Sequence, residues 1–437
     1  MHIISSKGMF YVYMQERVFI VPNIVINGLN KLDGEIIIQG AKNSVLPILA
    51  STILCKGDCV LHNCPKLSDV NTTIEILNNL GCSVKSEGNT LIVNTDNMCN
   101  YNIPNVLMRE LRSSIIFLGS ISSRFNKSML SFPGGCELGP RPIDMHLESL
   151  RKMGLNIYEH NGILDCETKS GLYGTQIALS FPSVGATENI ILAAVKSKGT
   201  TTITNAAREP EIIDLINFLC KCGAKIFGAG QSTITIEGVK ELFGAEHTVI
   251  PDRIVTTTFM AAVGAAKGNL LLRNVDINHL ESIISIFKEA GCDLRMDKNE
   301  IQITCNNRLN GISKIRTMPY PGFPTDAQAL IMAMMTTSNS TTMFIENVFE
   351  NRYKHVDELL RLGANIRVEG KVAIVEGVER LSGAFIQAND LRGAASLIVA
   401  GLAAEGKTEI VGTEYIDRGY QDIEKSLSSI GASIKRM

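Results

Sequence analysis

A short segment centred on a glycine recurs six times along the chain, and this repeat constrains the fold more than any other feature of the sequence. In each copy a helical pattern ends in glycine, a small or polar pair follows, and a β-branched or aliphatic residue comes next. Glycine is favoured directly after a helix because the chain needs a positive φ there before it turns into a strand. The six glycines, at intervals of 73, 69, 68, 72 and 68 residues, are Gly81, Gly154, Gly223, Gly291, Gly363 and Gly431.

Each copy also contains a short predicted strand upstream of its glycine, and a small-residue apolar helix precedes most of these strands. The predicted strands are Gly57–Asn63, Asn126–Ser131, Gly199–Asn205, Gly268–Asn274, Thr341–Asn347 and Gly406–Gly412. The apolar helices are predicted at Ser44–Leu54, Thr187–Val195, Val255–Ala266 and Ala394–Ala404. They lack a polar face, which predicts that they are buried on nearly all sides.

One unit is therefore helix–strand–helix–strand, and its length excludes the usual solenoids, whose periods run from roughly 20 to 50 residues. At 437 residues the chain also exceeds what one hydrophobic core normally supports. We expect an α/β protein with two pseudo-symmetric lobes of three units each. A functional site is expected in the cleft between the lobes.

Charge and cysteine usage exclude several classes of partner. The 42 Lys and Arg residues nearly balance the 44 Asp and Glu residues, so no overall basic field exists to hold a nucleic acid or an anionic membrane. A local cluster of arginines is still compatible with a small anion. The eleven scattered cysteines indicate reduced thiols of a soluble cytoplasmic protein, not a disulfide framework. Residues 1–20 resemble no secretion signal and are treated as an N-terminal extension.

Two segments interrupt the repeat with residues that suit chemistry. Lys42 begins a buried-type helix, where a cation is unfavourable against the helix dipole unless an anion binds there too; the alternative is a solvated surface lysine. Cys136 lies among glycines and prolines in the segment 132–142, five residues before Arg141. That setting implies an exposed loop, in which Cys136 is either a reactive thiol or an ordinary small residue.

Two further groups of charged residues each have a structural and a functional interpretation. Asp326 follows a Gly/Pro-rich segment at a predicted helix start, where it is either an N-cap or a general base. Arginine forks suit carboxylates and phosphates, but each of these arginines also has an acidic neighbour to pair with. For single residues, the N-cap and the neighbour pairs are the simpler expectations. The arginines are Arg112, Arg352, Arg392 and Arg418, and the neighbouring acids include Glu350, Asp390 and Asp417.

Motifs for common cofactors and metals are absent from the sequence. It contains no G-x-x-x-x-G-K-[ST] or G-x-G-x-x-G loop, no H-E-x-x-H pair and no G-x-S-x-G elbow. Cys220 and Cys222 have no matching second pair for zinc. We therefore expect neither a cofactor nor a metal.

Taken together, the motifs resemble the family of enolpyruvyl transferases that act on UDP-N-acetylglucosamine in peptidoglycan synthesis. The resemblance spans about residues 24–437, and the related shikimate-pathway transferase shares the architecture without the cysteine loop. It implies an inside-out α/β barrel duplicated in two lobes. Residues 21–41 plus 251–437 are expected to form one lobe and residues 42–250 the other. The motifs are Gly40–Asn43, Pro133–Cys136, Ser183–Thr187, Asn205–Glu211, Phe323–Asp326 and Ile416–Tyr420.

This resemblance also implies a reaction and roles for individual residues. The substrates would be phosphoenolpyruvate and UDP-N-acetylglucosamine, with no nucleic acid, membrane or cofactor involved. Cys136 matches the family's acid, which also forms a covalent adduct with phosphoenolpyruvate and is alkylated by fosfomycin. Asp326 matches the proposed base, and Lys42 and Arg418 complete the catalytic set. The phosphoenolpyruvate-binding positions are Lys42, Asn43, Arg141, Arg352, Arg392 and Arg418.

A second set matches the nucleotide-sugar subsite, with one departure. Some family members carry a lysine where this chain has Phe181, so a charge contact to the diphosphate is missing. Two alternatives stay open: a transferase with a different acceptor, and a non-catalytic paralogue that binds the nucleotide sugar. The matching positions are Asn43, Arg112, Arg141, Pro142, Ile143, Asp144, Met145, Ser183, Val184, Gly185, Asp326 and Val348.

Overall fold

The structure is a computed structural model, and it describes residues 23–134 and 143–437. Of the residues before 23 it describes only the backbone of three strands, Ile3–Ser6, Met9–Met14 and Arg17–Ile20. These three strands pair in order as antiparallel neighbours. Cys136, Arg141 and Pro142 lie outside the described residues.

The described residues contain α-helices of two kinds that alternate within the repeat. Helices of the first kind, such as α8, are buried along nearly their whole length, whereas those of the second kind, such as α7, bury one face. The helices are α1 (Lys42–Thr52), α2 (Ser68–Asn79), α3 (Asn105–Glu110), α4 (Phe117–Phe125), α5 (Asp144–Lys152), α6 (Val184–Ala194), α7 (Pro210–Lys221), α8 (Arg253–Ala266), α9 (Glu281–Glu289), α10 (Thr325–Met335), α11 (Val356–Arg361), α12 (Leu391–Ala403) and α13 (Ile423–Ser429). Short 3₁₀ helices span Arg112–Ile116, Ile277–His279 and Thr413–Arg418.

All six repeat glycines occupy the conformation predicted for them. Their φ angles lie between 88° and 103°. In every copy the amide after the glycine donates a hydrogen bond to a carbonyl five residues earlier, as Cys82 does to Leu77. This is the Schellman arrangement, which satisfies carbonyls at the end of a helix and turns the chain into the next strand. The sixfold repeat is thus a repeat of one helix termination.

Six small sheets lie around the buried helices, five of them mixed and the three-stranded one antiparallel. Inner strands such as Thr200–Thr204 and Thr233–Glu237 alternate buried and more exposed residues, as expected for sheets with one face on a core and the other toward water. In hydrogen-bonded order they are Glu246–Thr248, Asp58–His62, Thr90–Asn94 and Ser83–Glu87; Lys127–Ser131, Ile163–Glu167 and Asn156–His160; Gln176–Ala178, Thr200–Thr204, Thr233–Glu237 and Lys225–Phe227; Asp293–Asp297, Glu300–Cys305, Gly268–Arg273 and Leu32–Ile37; Ile315–Arg316, Thr341–Ile345, Val372–Glu376 and Asn365–Glu369; Phe385–Gln387, Lys407–Val411, Ile24–Asn27 and Ser433–Arg436. Two two-stranded pairs join Leu242–Phe243 to Cys55–Lys56 and Leu381–Ser382 to Ala404–Glu405.

Buried apolar side chains form two clusters, which gives the protein two cores. One cluster draws on residues 24–38 and 254–434, and the other on residues 45–249. Helices α8, α10 and α12 pack against each other inside the first cluster, with the sheets outside them. This is the predicted two-lobed α/β architecture with helices inside. We propose the division near residues 41 and 250 as the domain boundary, which the membership of the two clusters supports.

The predicted strands agree with the structure to within two residues, but the buried helices begin earlier than predicted. Helices α1, α6, α8 and α12 start two or three residues before the apolar segments do. The added first turns contain polar residues such as Lys42, Arg253 and Arg392. A helix predicted from its apolar residues alone leaves these polar residues out, although they are helical and face the cleft. Among the described helices, none has the length and apolar character that crossing a membrane requires.

Candidate active site

The first turns of the buried helices meet at one cavity of about 550 Å³ between the two cores. Lys42 of α1, Val184 of α6, Arg253 of α8, Asp326 of α10 and Arg392 of α12 all line it. Helix N-termini present free backbone N–H groups and partial positive charge, which together favour anions. The volume is in the range of ordinary small-molecule sites. The cleft is therefore suited to a small, negatively charged ligand.

Asp326 lies at the centre of a cationic cluster in this cavity. Its carboxylate accepts hydrogen bonds from Arg352 at 2.9 Å and from Arg392 at 3.0 Å. The two arginine side chains are only 3% and 5% exposed. Arg392 also donates to the hydroxyl of Tyr420 at 3.3 Å, which fixes the guanidinium from its other side. The N-cap interpretation of Asp326 is wrong, because Pro324 occupies that position and no side chain caps α10.

Charge around Asp326 determines its protonation state. Burial alone would raise the pKa of Asp326, but Arg392 and Arg352 outweigh burial and hold the pKa far below its usual range. Asp326 is therefore ionised at neutral pH. While both arginines remain bound to it, the carboxylate is a weak base.

Asp69 binds two of the predicted clamp cations at once. It is the second residue of α2 and is only 4% exposed. Its carboxylate lies 2.6 Å from the Lys42 ammonium and 2.9 Å from Nε of Arg418. Burial opposes ionisation, but Lys42 and Arg418 keep the pKa of Asp69 below its ordinary value. Lys42 begins α1, which packs in one core, and Arg418 ends a 3₁₀ helix that packs in the other. Asp69 therefore links the two lobes across the cleft.

Arg352, Arg392 and Arg418 bind acids that are distant in sequence, although the sequence favoured their acidic neighbours as partners. Arg352 and Arg392 share Asp326, and Arg418 binds Asp69. The acidic neighbours have other roles: Asp390 caps α12 by accepting from the amides of Arg392 and Gly393, and Asp417 accepts from Arg436. For Arg392 and Arg418 the neighbour-pairing expectation is wrong, because Asp390 caps a helix and Asp417 binds Arg436.

Most of the predicted nucleotide-sugar residues line the same cavity. Ser183 accepts from the amide of Ala186 and so begins α6 at the cavity wall. Phe181, which replaces the lysine of some family members, lines the wall as well and is 38% exposed. Asp144 begins α5 and is not among the lining residues that the structure describes. The predicted residues that do line it are Asn43, Arg112, Ile143, Met145, Ser183, Val184, Gly185, Asp326 and Val348.

Sequence reasoning missed several lining residues. Asp69 gives no signal beyond being an acid in the first turn of a helix. Glu209, in the Asn205–Glu211 motif, also lines the cavity, whereas Glu211 of the same motif lies behind it and binds Arg253. The apolar pattern predicts that α8 begins after Arg253, but Arg253 is its first residue. Its Nε donates to Glu211 at 3.0 Å. Within the described part of the chain, no group of three or more acidic, cysteine or histidine side chains is arranged to hold a metal.

Comparison with known protein families gives a match over most of the chain. The family model of EPSP synthase (3-phosphoshikimate 1-carboxyvinyltransferase) matches residues 26–427. A structure of the enolpyruvyl transferase NikO from Streptomyces tendae superposes with a TM-score of 0.87 at 24% identity, covering 95% of this chain and 99% of that one. At that identity the likeness bears on the fold alone.

Two relatives are similar over nearly their whole length. A protein of Caldanaerobacter subterraneus named UDP-N-acetylglucosamine 1-carboxyvinyltransferase 2 is 49% identical over 412 residues, which is 94% of this chain and 99% of the relative. A protein of Carboxydothermus hydrogenoformans named UDP-N-acetylglucosamine 1-carboxyvinyltransferase 1 is 45% identical, covering 97% of this chain and 98% of the relative.

Proposed function

Because the chain belongs to the EPSP synthase family, with relatives named UDP-N-acetylglucosamine 1-carboxyvinyltransferase, we propose that it is an enolpyruvyl transferase. It transfers the enolpyruvyl group of phosphoenolpyruvate to the 3-hydroxyl of UDP-N-acetylglucosamine and releases phosphate. In the cell this is the first committed step of peptidoglycan precursor synthesis, and we expect it to take place in the cytoplasm.

The observation that carries the proposal is the gathering of cations around one cavity. Lys42, Arg352, Arg392 and Arg418 all line it, at the N-termini of buried helices or beside them. Phosphoenolpyruvate has a phosphate and a carboxylate, and guanidinium forks suit both groups. The net charge of the whole protein is close to zero, so this cluster is a local feature. It supports binding of a small ligand with two anionic groups.

The chemistry is an addition followed by an elimination. In the addition, the sugar hydroxyl oxygen bonds to C2 of phosphoenolpyruvate, and the methylene carbon C3 gains a proton. In the elimination, C3 loses a proton, the bond from C2 to the phosphate oxygen breaks, and phosphate leaves. A positioned acid has to protonate C3, and Cys136 is the residue proposed for that role. Positive charge that develops at C2 is favoured by nearby carboxylates.

Asp326 is proposed to accept the hydroxyl proton, and its arginine partners determine when it can do so. With both arginines bound to it, Asp326 is too weak a base. When the phosphate and carboxylate of phosphoenolpyruvate bind, they compete for the same N–H groups of Arg352 and Arg392. Loss of those hydrogen bonds raises the pKa of Asp326, since they favour its charged form. Binding of phosphoenolpyruvate would thereby activate the base.

The experiment measures phosphate release from phosphoenolpyruvate with and without UDP-N-acetylglucosamine, beside the Cys136→Ala variant. The proposal predicts release only when both substrates and Cys136 are present. Bound UDP-N-acetylglucosamine without phosphate release in the wild-type protein would refute the transferase and favour a non-catalytic binding protein. Release that Cys136→Ala leaves unchanged would remove the cysteine from the acid role.

A further inference from the structure

Glu188 is a buried acid in the cleft, and the part of the chain that the structure describes offers its carboxyl group no partner. It is the fifth residue of α6 and is only 6% exposed, yet it lines the cavity. It lies one turn beyond Val184, so both residues share one face of the helix. Within the described residues, no hydrogen bond or ion pair is formed by the Glu188 carboxyl. Asp69 and Asp326, by contrast, are each bound by two cations.

Two other carboxyl groups, at the start of α7, lie near enough to Glu188 to oppose its ionisation. Glu211 is the second residue of α7 and is bound by Arg253 at 3.0 and 3.3 Å. Glu209 caps no amide of α7, but it accepts from the amides of Arg208 at 3.0 Å and Tyr320 at 3.4 Å. Burial, Glu211 and Glu209 together raise the pKa of Glu188 well above its ordinary value. Burial and the neighbouring acids thus favour the protonated form of Glu188, which presents both an O–H donor and a carbonyl acceptor.

The side chains around Glu188 favour one kind of ligand group. Glu209 and Glu211 disfavour a phosphate or carboxylate next to Glu188, and Arg253, the cation beside them, is already bound by Glu211. An uncharged hydroxyl or amide can both accept from and donate to a neutral carboxyl. A buried polar group that is left unpaired costs free energy, so the wall discriminates against ligands without such a group.

We propose that Glu188 is a specificity-determining residue whose carboxyl group hydrogen-bonds an uncharged polar group, a hydroxyl or an amide, of the nucleotide sugar. The assignment to the nucleotide sugar rests on the proposed function. Its geometric basis is the position of Glu188 one turn beyond Ser183, Val184 and Gly185, which are the residues proposed for that ligand.

The test compares two substitutions of nearly the same size. Glu188→Gln keeps a donor and an acceptor, whereas Glu188→Met removes both without opening a space. We expect Glu188→Met to weaken UDP-N-acetylglucosamine binding by about 3- to 10-fold in calorimetry, as for one lost neutral hydrogen bond. The KM for the nucleotide sugar should rise by the same factor, and the KM for phosphoenolpyruvate should stay within about twofold. Glu188→Gln should retain wild-type affinity.

Ile191→Val provides a matched control on the same helix. Ile191 is fully buried and does not line the cavity, so this change should lower stability without changing affinity. Wild-type affinity in Glu188→Met, or equal losses in the Gln and Met variants, would overturn the proposal. An equal rise of both KM values would also overturn it. If Glu188→Met does not fold, Glu188→Leu, which also lacks a donor and an acceptor, takes its place in the comparison.

Calorimetry separates this proposal from the proposed function because it needs no turnover. A wild-type protein that binds UDP-N-acetylglucosamine but releases no phosphate would refute the transferase, while the comparison of Glu188 variants would still decide the role of this residue.

Discussion

Asp326→Asn removes a negative charge from between two buried guanidinium groups. The carboxylate accepts hydrogen bonds at 2.9 and 3.0 Å from Arg352 and Arg392, and each bond between charged partners contributes about 1.5–3 kcal/mol. Breaking one side of a buried ion pair costs about 3–5 kcal/mol. Asp326 itself is 28% exposed and asparagine still accepts one bond, so the lower end applies. We expect the free energy of unfolding to fall by about 3 kcal/mol.

The same variant tests the base role of Asp326, because an amide cannot take the hydroxyl proton. A lost general base lowers kcat by about 10²- to 10⁴-fold. Urea unfolding gives the stability, and phosphate release with both substrates gives kcat. Asp357→Asn, an identical change at an exposed position in α11, should alter neither quantity. A kcat within about fivefold of wild type would refute the base role. Unchanged stability would refute the ion-pair reasoning.

Three further predictions follow from individual contacts. Asp69 has a lowered pKa in the folded protein, so it stabilises the fold above the unfolded pKa of about 4 and loses that effect as pH falls through the folded pKa. Urea unfolding should therefore show a constant stability gap between wild type and Asp69→Asn from pH 7 to about 5, narrowing in stronger acid; a gap that widens in acid would contradict this. Phe181→Lys places a cation at the nucleotide-sugar wall and should tighten UDP-N-acetylglucosamine binding by about threefold or more in calorimetry, with the gain shrinking at high salt. A gain that is independent of salt would argue against a charge contact. Gly363→Ala should lower the free energy of unfolding by about 1–2 kcal/mol, measured by thermal unfolding, because φ is 88° while the added Cβ meets nothing within 4 Å. Gly363→Asn should lower it less, because asparagine tolerates a positive φ better. Equal losses in the two variants would contradict a purely conformational origin.

The fold was predictable from the sequence because its main signal is local. Each repeat glycine ends a helix through its own φ angle and through hydrogen bonds within a few residues, so the six units can be counted without knowing any tertiary contact. The helix starts were predicted less well. Lys42, Arg253 and Arg392 interrupt the apolar pattern, although they are helical residues that face the cleft.

The candidate site was only partly predictable, because its pairings are long-range. Asp69 and Arg418 are 349 residues apart in sequence, and Asp326 and Arg392 are 66 apart. Nothing in the neighbourhood of any of these residues indicates its partner, so the expectation of pairing with an adjacent acid failed. Glu188 was missed for a different reason. An acid in an apolar helical segment gives no sign of which way it faces until the helices are packed.

Mass spectrometry of the nucleotide sugar after incubation with phosphoenolpyruvate shows whether the protein transfers the enolpyruvyl group. We expect UDP-N-acetylglucosamine to gain the mass of one enolpyruvyl group, in amounts equal to the phosphate released, and Cys136→Ala to form none of this product. An unchanged nucleotide-sugar mass in the presence of wild-type protein that binds both ligands would contradict it.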